Sequence, residues 1–328
     1  MKVESLERFD LLDEGSWNGL LARAAAPVPF LTWQWQEHWW RAFGAGRHPL
    51  RLLAVSDSSG QLTGLLPLYA ESRDVFRIVG GVDVSDYLDL LAPAGSEEEV
   101  WAALLQHRSA EPAAWDLHCL RATSATMILL PTMAPVYGLA ARVLREERCP
   151  VLPLPGSWDA YLAGLSGKNR HELRRKMHRL DRELPGTTVR SHATVEGLPD
   201  AMTAFLALHR KSRPGKARFM DERMEEFFQA VAGALMDRGW LRLWFLELEG
   251  EPLASCLTYE YAGSVGLYNS GFDPTRAALS PGIVLLCHVI RDAIDRSFRR
   301  FDFLRGEEPY KYGFGPTPED LFNVVVTR

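Results

Sequence analysis

The stretch that decides the fold runs from 266 to 315. It reads GLYNSGFDP (266–274), ALSPG (278–282), IVLLCHVIRDAIDRSF (283–298) and RRFDFLRGEEPYKYGFG (299–315). A short Gly-bounded strand is expected at 265–269. Ser280-Pro281-Gly282 opens a helix, because serine caps and proline suits the first turn. Ile283, Leu286, Ile290, Ile294 and Phe298 recur at helical spacing and make one apolar face. His288, Arg291, Asp292, Asp295 and Arg299 fill the other. Residues 301–304 return as a strand, followed by an aromatic loop. Such a βαβ unit makes its strands neighbours and gathers the loops at their C-terminal ends. Ligands favour those ends. The helix start after Leu279 adds free N–H groups and a positive dipole end, a place for phosphate or pyrophosphate. Polar residues collect beside it: Tyr268, Asn269, Ser270 and Asp273 after one strand, and Arg305, Glu307, Glu308, Tyr310, Lys311 and Tyr312 after the other. An ordinary buried βαβ unit with solvated loop ends is the alternative, since no strict phosphate-loop pattern is present.

Working outward, 328 residues suggest two domains, and 47% apolar residues are enough for sizeable cores. A net charge of −5 argues against a generally basic nucleic-acid binder, and no DNA partner is expected. Cys119, Cys149, Cys256 and Cys287 are scattered, with no metal-ligand spacing. Reduced thiols, no metal and a cytoplasmic setting are the simple reading. The opening MKVESLERFDLLDEG lacks the apolar core of a signal peptide, and no apolar run reaches transmembrane length.

The order of elements recurs. LRLLAVSDSSGQLTGLLPLY from Leu50 is echoed by LRLWFLELEGEPLASCLTYEY from Leu241. Each hairpin precedes a strand, a loop, a helix and a closing strand, the last being WDLHCLR from Trp115 and FDFLRG from Phe301. A repeat this long implies duplication of an α/β domain rather than a solenoid. The proline-rich CPVLPLPGSW (149–158) marks the joint, giving domains at 1–150 and 151–328. Leu321–Val326 supplies a last strand of the second half. In the first half, Thr32 caps a helix whose Trp35, Trp39, Trp40 and Phe43 share one side. Such a stripe either packs two layers or offers stacking surface.

The second half opens on a basic helix, KNRHELRRKMHRLDREL (168–184). Leu173, Met177, Leu180 and Leu184 form its narrow apolar stripe, and Arg170 and Arg174 lie one turn apart on a shared face. That face suits a phosphate or an RNA backbone, unless it is simply solvated. Between two later helices, SRPGKARF (212–219) is expected as a basic loop, either lying over a cleft or acting as a plain connector.

The strings KNRHELRRKMHRL, GEPLASCLTYEY, YNSGFDP, LSPGIVLLCHVI and FDFLRGEEPYKYGFG occur in an order that resembles the BioF2-like, CelD-like (cellulose biosynthesis) GNAT acetyltransferases. That family is similar in architecture to the FemABX aminoacyltransferases. The resemblance implies an α/β (α+β) fold of tandem GNAT-like domains, each a mixed, mostly antiparallel sheet flanked by helices. It implies an active site in the second domain, opening toward the first, whose own role is structural and acceptor-binding. The strand at 265–270 would present backbone groups to the acyl thioester. Asn269, Ser270, Ser280, Gly282 and Ile283 would hold the donor, acetyl-CoA or another acyl-CoA, although the usual Q/R-x-x-G-x-G/A loop is reduced to Gly282.

Direct attack by an amine needs a proton acceptor, carbonyl stabilisation and a proton for the leaving group, but no protein nucleophile. Tyr310 and Tyr312 are the proton donors expected, and Lys311 either neutralises developing charge or binds an acceptor carboxylate or phosphate. Extended alternation would turn Lys311 away from both tyrosines. Asp273, Glu307 and Glu308 are expected as bases or amine anchors, with Arg170, Arg174, Tyr268 and Arg305 on the substrate side. Asp302, inside an apolar strand, needs a partner such as Arg305. Three activities follow. One is an acyl-CoA-dependent N-acyltransferase for a small or saccharide-linked amine, in polysaccharide or cell-envelope metabolism. Another is a FemABX-like transfer from aminoacyl-tRNA. The third is a non-catalytic binding protein on a degenerate GNAT scaffold.

Overall fold

The computed structural model describes residues 1–108 and 112–328. The chain divides into two compact units, Met1–Arg148 with Glu319–Arg328, and Cys149–Pro318.

In the first unit β1 (Lys2–Leu6) precedes α1 (Glu14–Ala22) and α2 (Trp33–Trp39). Then come β2 (Leu50–Ser56), β3 (Leu62–Ser72), β4 (Val75–Ile78), α3 (Glu97–Arg108), β5 (Ala114–Arg121) and α4 (Ala125–Met133). The strand β6 (Ala140–Pro153) runs out of this unit, and its last five residues belong to the second. The final strand β12 (Thr317–Thr327) pairs antiparallel with β5, so residues 319–328 join the first unit rather than the half that precedes them. Arg108 fixes this return: its buried guanidinium donates to Ala113 O at 2.7 Å and to Val326 O at 2.9 Å. The sheet order is β1-β2-β3-β4-β5-β12-β6. Neighbours β1 to β4 are antiparallel, and β4 and β5 are parallel because α3 crosses between them. The tryptophan stripe packs layers. Thr32 caps α2 by accepting from Trp35 N, Trp35 is fully buried and donates to Ser85 Oγ at 2.7 Å, and Trp39 lies 5.3 Å from the Tyr69 ring.

The second unit repeats the plan. Its helices α5 (Trp158–Gly164) and α6 (Gly167–Glu183) lead into β7 (Thr187–His192), α7 (Leu198–Ser212), α8 (Pro214–Phe219) and α9 (Glu222–Asp237). The hairpin β8 (Leu241–Leu248) and β9 (Glu251–Tyr261) is followed by β10 (Ser264–Phe272), α10 (Pro281–Asp295), β11 (Arg300–Asp302) and α11 (Pro309–Tyr312). The sheet order is β6-β11-β10-β9-β8-β7, antiparallel except for β10 and β11. On α10, Leu286, Ile290 and Ile294 are buried as the spacing requires, in one cluster with Leu173 and Leu180 of α6. Phe298 falls beyond the helix, which stops at Asp295. Two segments expected as loops are helical. Residues 214–219 form α8 and 309–312 form α11, each with proline at the first turn, where its missing N–H costs nothing.

One polar cluster braces the first sheet. His118 on β5 lies 2.8 Å from Asp116 Oδ2 through Nε2, and bonds Glu146 of β6 through Nδ1. Asp116 also takes Arg77 Nε at 2.9 Å and Asn323 Nδ2 at 2.7 Å. Burial acts to lower the His118 pKa, but the two carboxylates outweigh it and raise the pKa to about 9. A histidine held above its ordinary value of about 6.5 stabilises the fold fully below that pH, and the contribution is lost as pH rises through 9. His118→Gln is therefore expected to cost on the order of 2 kcal/mol at pH 6 and much less at pH 10, read from urea unfolding midpoints. An equal cost at both values would show that the charge contributes nothing.

Candidate active site

The parallel pairing of β10 with β11 covers only Ser264–Gly266 against Arg300–Asp302. There β11 ends. Asp302, 4% exposed, accepts Leu304 N–H at 2.9 Å and pairs with Arg300 at 3.3 Å. A local turn and Arg300 thus give partners to a carboxylate that its apolar strand could not leave bare. Leu304 takes a left-handed φ of 55° and turns the chain off the sheet. Meanwhile β10 continues to Phe272 beside β9 alone, and its register slips at Tyr268, between Leu267 and Asn269. The edge of β10 beyond this bulge is open to a ligand.

A cavity of about 220 Å³ occupies that opening. Ser270, Gly271 and Phe272 of β10 form one wall, and Ser280, Gly282, Ile283 and Leu286 at the start of α10 form another. Arg213 and Lys216 close a third side, with Glu308 and Tyr310 opposite the strand. Gly271 is required where it stands: a Cβ there would lie 2.5 Å from His209 N and Leu208 C, so α7 rests directly on the strand. The start of α10 is left open. Ser280 sits at a left-handed φ of 54° and makes no capping bond, against the expectation that its side chain caps. Pro281 has no N–H, and the Gly282 N–H meets no backbone acceptor among the described residues.

The expected site residues separate into two groups. Ser270, Ser280, Gly282, Ile283, Glu308 and Tyr310 converge on the cavity. Asn269 lies just behind it, its Oδ1 3.0 Å from His209 Nε2. The others have structural work. Lys311 is 3% exposed and donates to the carbonyls of Leu304 (3.4 Å), Arg305 (2.8 Å) and Gly306 (3.0 Å), with Glu308 at 2.9 Å. It pins a loop and does not face the cavity. Tyr312 turns outward and donates to Glu307 at 2.9 Å, while its carbonyl accepts from Asn169 at 3.2 Å. Because α11 is a helical turn, the strand-like alternation expected here does not apply. Asp273 caps the 3-10 turn Pro274–Leu279 through Thr275 N–H at 2.9 Å, with Lys211 at 3.1 Å. Tyr268 packs at a tilt against Tyr259 and Phe228, at 5.0 and 5.4 Å between rings. Arg170 covers the last carbonyls of α5, Leu162 and Ala163, at 3.5 and 3.4 Å. Arg174 is exposed on α6, and Arg305 is absent from the lining.

Charge in the cavity is uneven. Glu308 is held below its usual range: burial opposes this, but Lys311 and Arg213 prevail. Tyr310 is pushed up by burial and by Glu308, and its hydroxyl is hydrogen-bonded to the Ser270 side chain. Lys216 donates to Ser270 O, and its pKa falls to about 8 through burial, Arg213 and Lys311, against the pull of Glu308. Burial, Lys216 and Arg210 bring His209 down to about 4, so it is neutral. Arg213, Lys216 and His209 were not singled out from sequence. The signal for the first two was the string SRPGKARF itself, with a cation on each side of a helix-starting proline.

Residues 167–312, which contain every wall of this cavity, match the family model described as an acetyltransferase (GNAT) domain. The second unit is a GNAT domain. Its class is that of the N-acyltransferases. No curated protein matches the chain. Among solved structures, FemX superposes with a TM-score of 0.68 at 13% identity, over 98% of this chain and 97% of that one. A conserved protein of unknown function from Bacteroides thetaiotaomicron VPI-5482 gives 0.64 at 10% identity with both chains fully covered. L-PGS from Bacillus licheniformis gives 0.58 at 12%, over 95% and 91%. At these identities the likeness is one of fold, and it extends over both units of the GNAT-containing chain. No helix among the described residues is long and apolar enough to cross a membrane.

The placement of Lys311 carries a prediction. Lys311→Met strands three carbonyls and the Glu308 carboxylate, and is expected to cost roughly 3–5 kcal/mol, the usual loss when one partner of a buried ion pair is removed. A clear fall in Tm measures it. Unchanged Tm with reduced turnover would instead return Lys311 to a role in the chemistry.

Proposed function

We propose that the GNAT domain transfers an acyl group from acyl-CoA to an amine by direct attack within the cavity between β10 and α10. The observation that carries this reading is the cavity itself, where an open strand edge, an uncapped helix start and two cations, Arg213 and Lys216, share one space. Backbone N–H groups of β10 after the bulge donate to the acyl carbonyl oxygen. The Gly282 N–H, the start of α10 and Arg213 favour the donor's phosphates. Tyr310, kept protonated by burial, gives its proton to the departing thiolate. A small or saccharide-linked amine, in polysaccharide or cell-envelope metabolism, fits the narrower resemblance to the BioF2-like and CelD-like set. The first unit is then a structural and acceptor-binding partner.

A second reading, aminoacyl transfer from aminoacyl-tRNA, is favoured by a different observation. On α6, Lys168 and Arg174 stand exposed, and Arg175, Arg179 and Arg182 line the same helix, with Glu172 and Glu183 as acidic partners. Transfer that survives removal of CoA and stops on ribonuclease treatment would establish it over the first.

Calorimetric titration with acetyl-CoA tests the leading proposal, with Gly282→Glu as the control. A Cβ at Gly282 meets only Phe272, at 3.8 Å and beyond, so the variant keeps its fold while placing an anion in the cavity. Binding by the parent and at least a tenfold loss in the variant are expected. Absence of binding at millimolar acetyl-CoA, or equal binding by both proteins, would overturn donor placement on α10.

A further inference from the structure

We propose that Lys216 is the proton acceptor of the reaction, its neutral amine stripping the incoming ammonium before attack. The proposal rests on the acyl-transfer reading of the cavity and assigns the base that reading leaves unnamed.

The geometry points to it through Ser270. This residue follows the bulge on the open edge of β10; its main-chain oxygen accepts Lys216 Nζ, and its side chain is bonded to the Tyr310 hydroxyl. A base and an acid thus converge on one residue of the wall that faces the reacting carbonyl. The competing groups are occupied. Glu308 is paired with Lys311 and held as a weak base, and Asp273 is spent as a cap. His209 is 1% exposed, faces Asn269 and is held far below its ordinary basicity.

The groups facing Lys216 explain its basicity. Arg213, the residue just before its helix, and Lys311 beyond the loop both disfavour its charge, and Glu308 favours it. His209 on α7 is neutral, and the neighbouring Arg210 is paired with Glu225 of α9. Burial adds to the disfavour, and the pKa falls to about 8 from about 10.4 for an ordinary lysine. Near pH 8 about half of the Lys216 population is then free base, against less than about 1% for an unperturbed side chain.

The protons balance. Neutral Lys216 takes one proton from the acceptor ammonium. The amine forms the new C–N bond as the C–S bond of the donor breaks. Tyr310 protonates the thiolate and recovers a proton from the acceptor nitrogen. Lys216 returns its own proton to solvent. The net reaction yields amide, thiol and one proton.

Amine-reactive labelling of the whole protein, followed by mass spectrometry across pH 6 to 11, tests the assignment. Lys216 reactivity is expected to rise with a midpoint near 8, and to fall at least fivefold when acetyl-CoA is bound. Calorimetry of the same preparation keeps failure of donor binding separate from failure of Lys216. A midpoint near an ordinary lysine, or no protection in protein that binds acetyl-CoA, overturns the proposal. In turnover assays with a panel of primary amines, Lys216→Met is expected to lower kcat at least a hundredfold and to abolish the acid limb of its pH profile. Hydroxylamine, which arrives neutral, is expected to be spared. An acid limb that survives in Lys216→Met overturns the role.

Discussion

The Lys311 ammonium and the three carbonyls it holds set the rest of the site. An ammonium has three donors and no acceptor. Here those donors face Leu304, Arg305 and Gly306, which the end of β11 leaves pointing inward. Asp302 stops the strand and left-handed Leu304 turns it, so these carbonyls have no sheet partner. Without a buried cation they would go unsatisfied. With it, the loop closes into α11, Glu308 is drawn in as counter-ion, and Tyr310 is carried over the cavity.

The second constraint is the close approach of α7 to β10 at Gly271. Backbone packed on backbone fixes where α7 ends, and hence where Arg213 and α8 begin. Both cations of the cavity therefore depend on one missing Cβ. Glu308 attracts both, but it is itself paired with Lys311. Arg213 beside an uncapped helix start therefore leaves the cavity favourable to an anionic ligand.

Much of the fold was legible in the residues. Apolar spacing in IVLLCHVIRDAI gave the α10 face, and the echo between Leu50 and Leu241 gave two units of the same plan, each with one parallel strand pair. The helix start at Ser280-Pro281-Gly282 and the convergence of Ser270, Glu308 and Tyr310 were also readable. What failed was direction. Pro309-Tyr310-Lys311-Tyr312 reads as a loop, yet proline at a first turn nucleates α11, and a helical turn sends Tyr310 and Tyr312 to different surroundings while burying Lys311. Period alone does not say which carbonyls a lysine will meet. Nor did local sequence show that β12 returns to the first sheet, since that pairing is set by partners some 200 residues away, such as Asp116 and Asn323.

The chemistry is constrained as much by what is buried as by what faces the cavity. Cys256 and Cys287 lie inside the GNAT domain, and burial raises both thiols, Cys287 to about 12. A thiol so far from ionisation is a poor nucleophile. Cys149 is buried as well. On the cavity wall stand a phenol that keeps its proton, an amine poised to lose one, a carboxylate paired with Lys311, and backbone along an open strand edge. That set suits a reaction in which donor and acceptor meet directly, and in which the protein's contribution is position and the movement of protons.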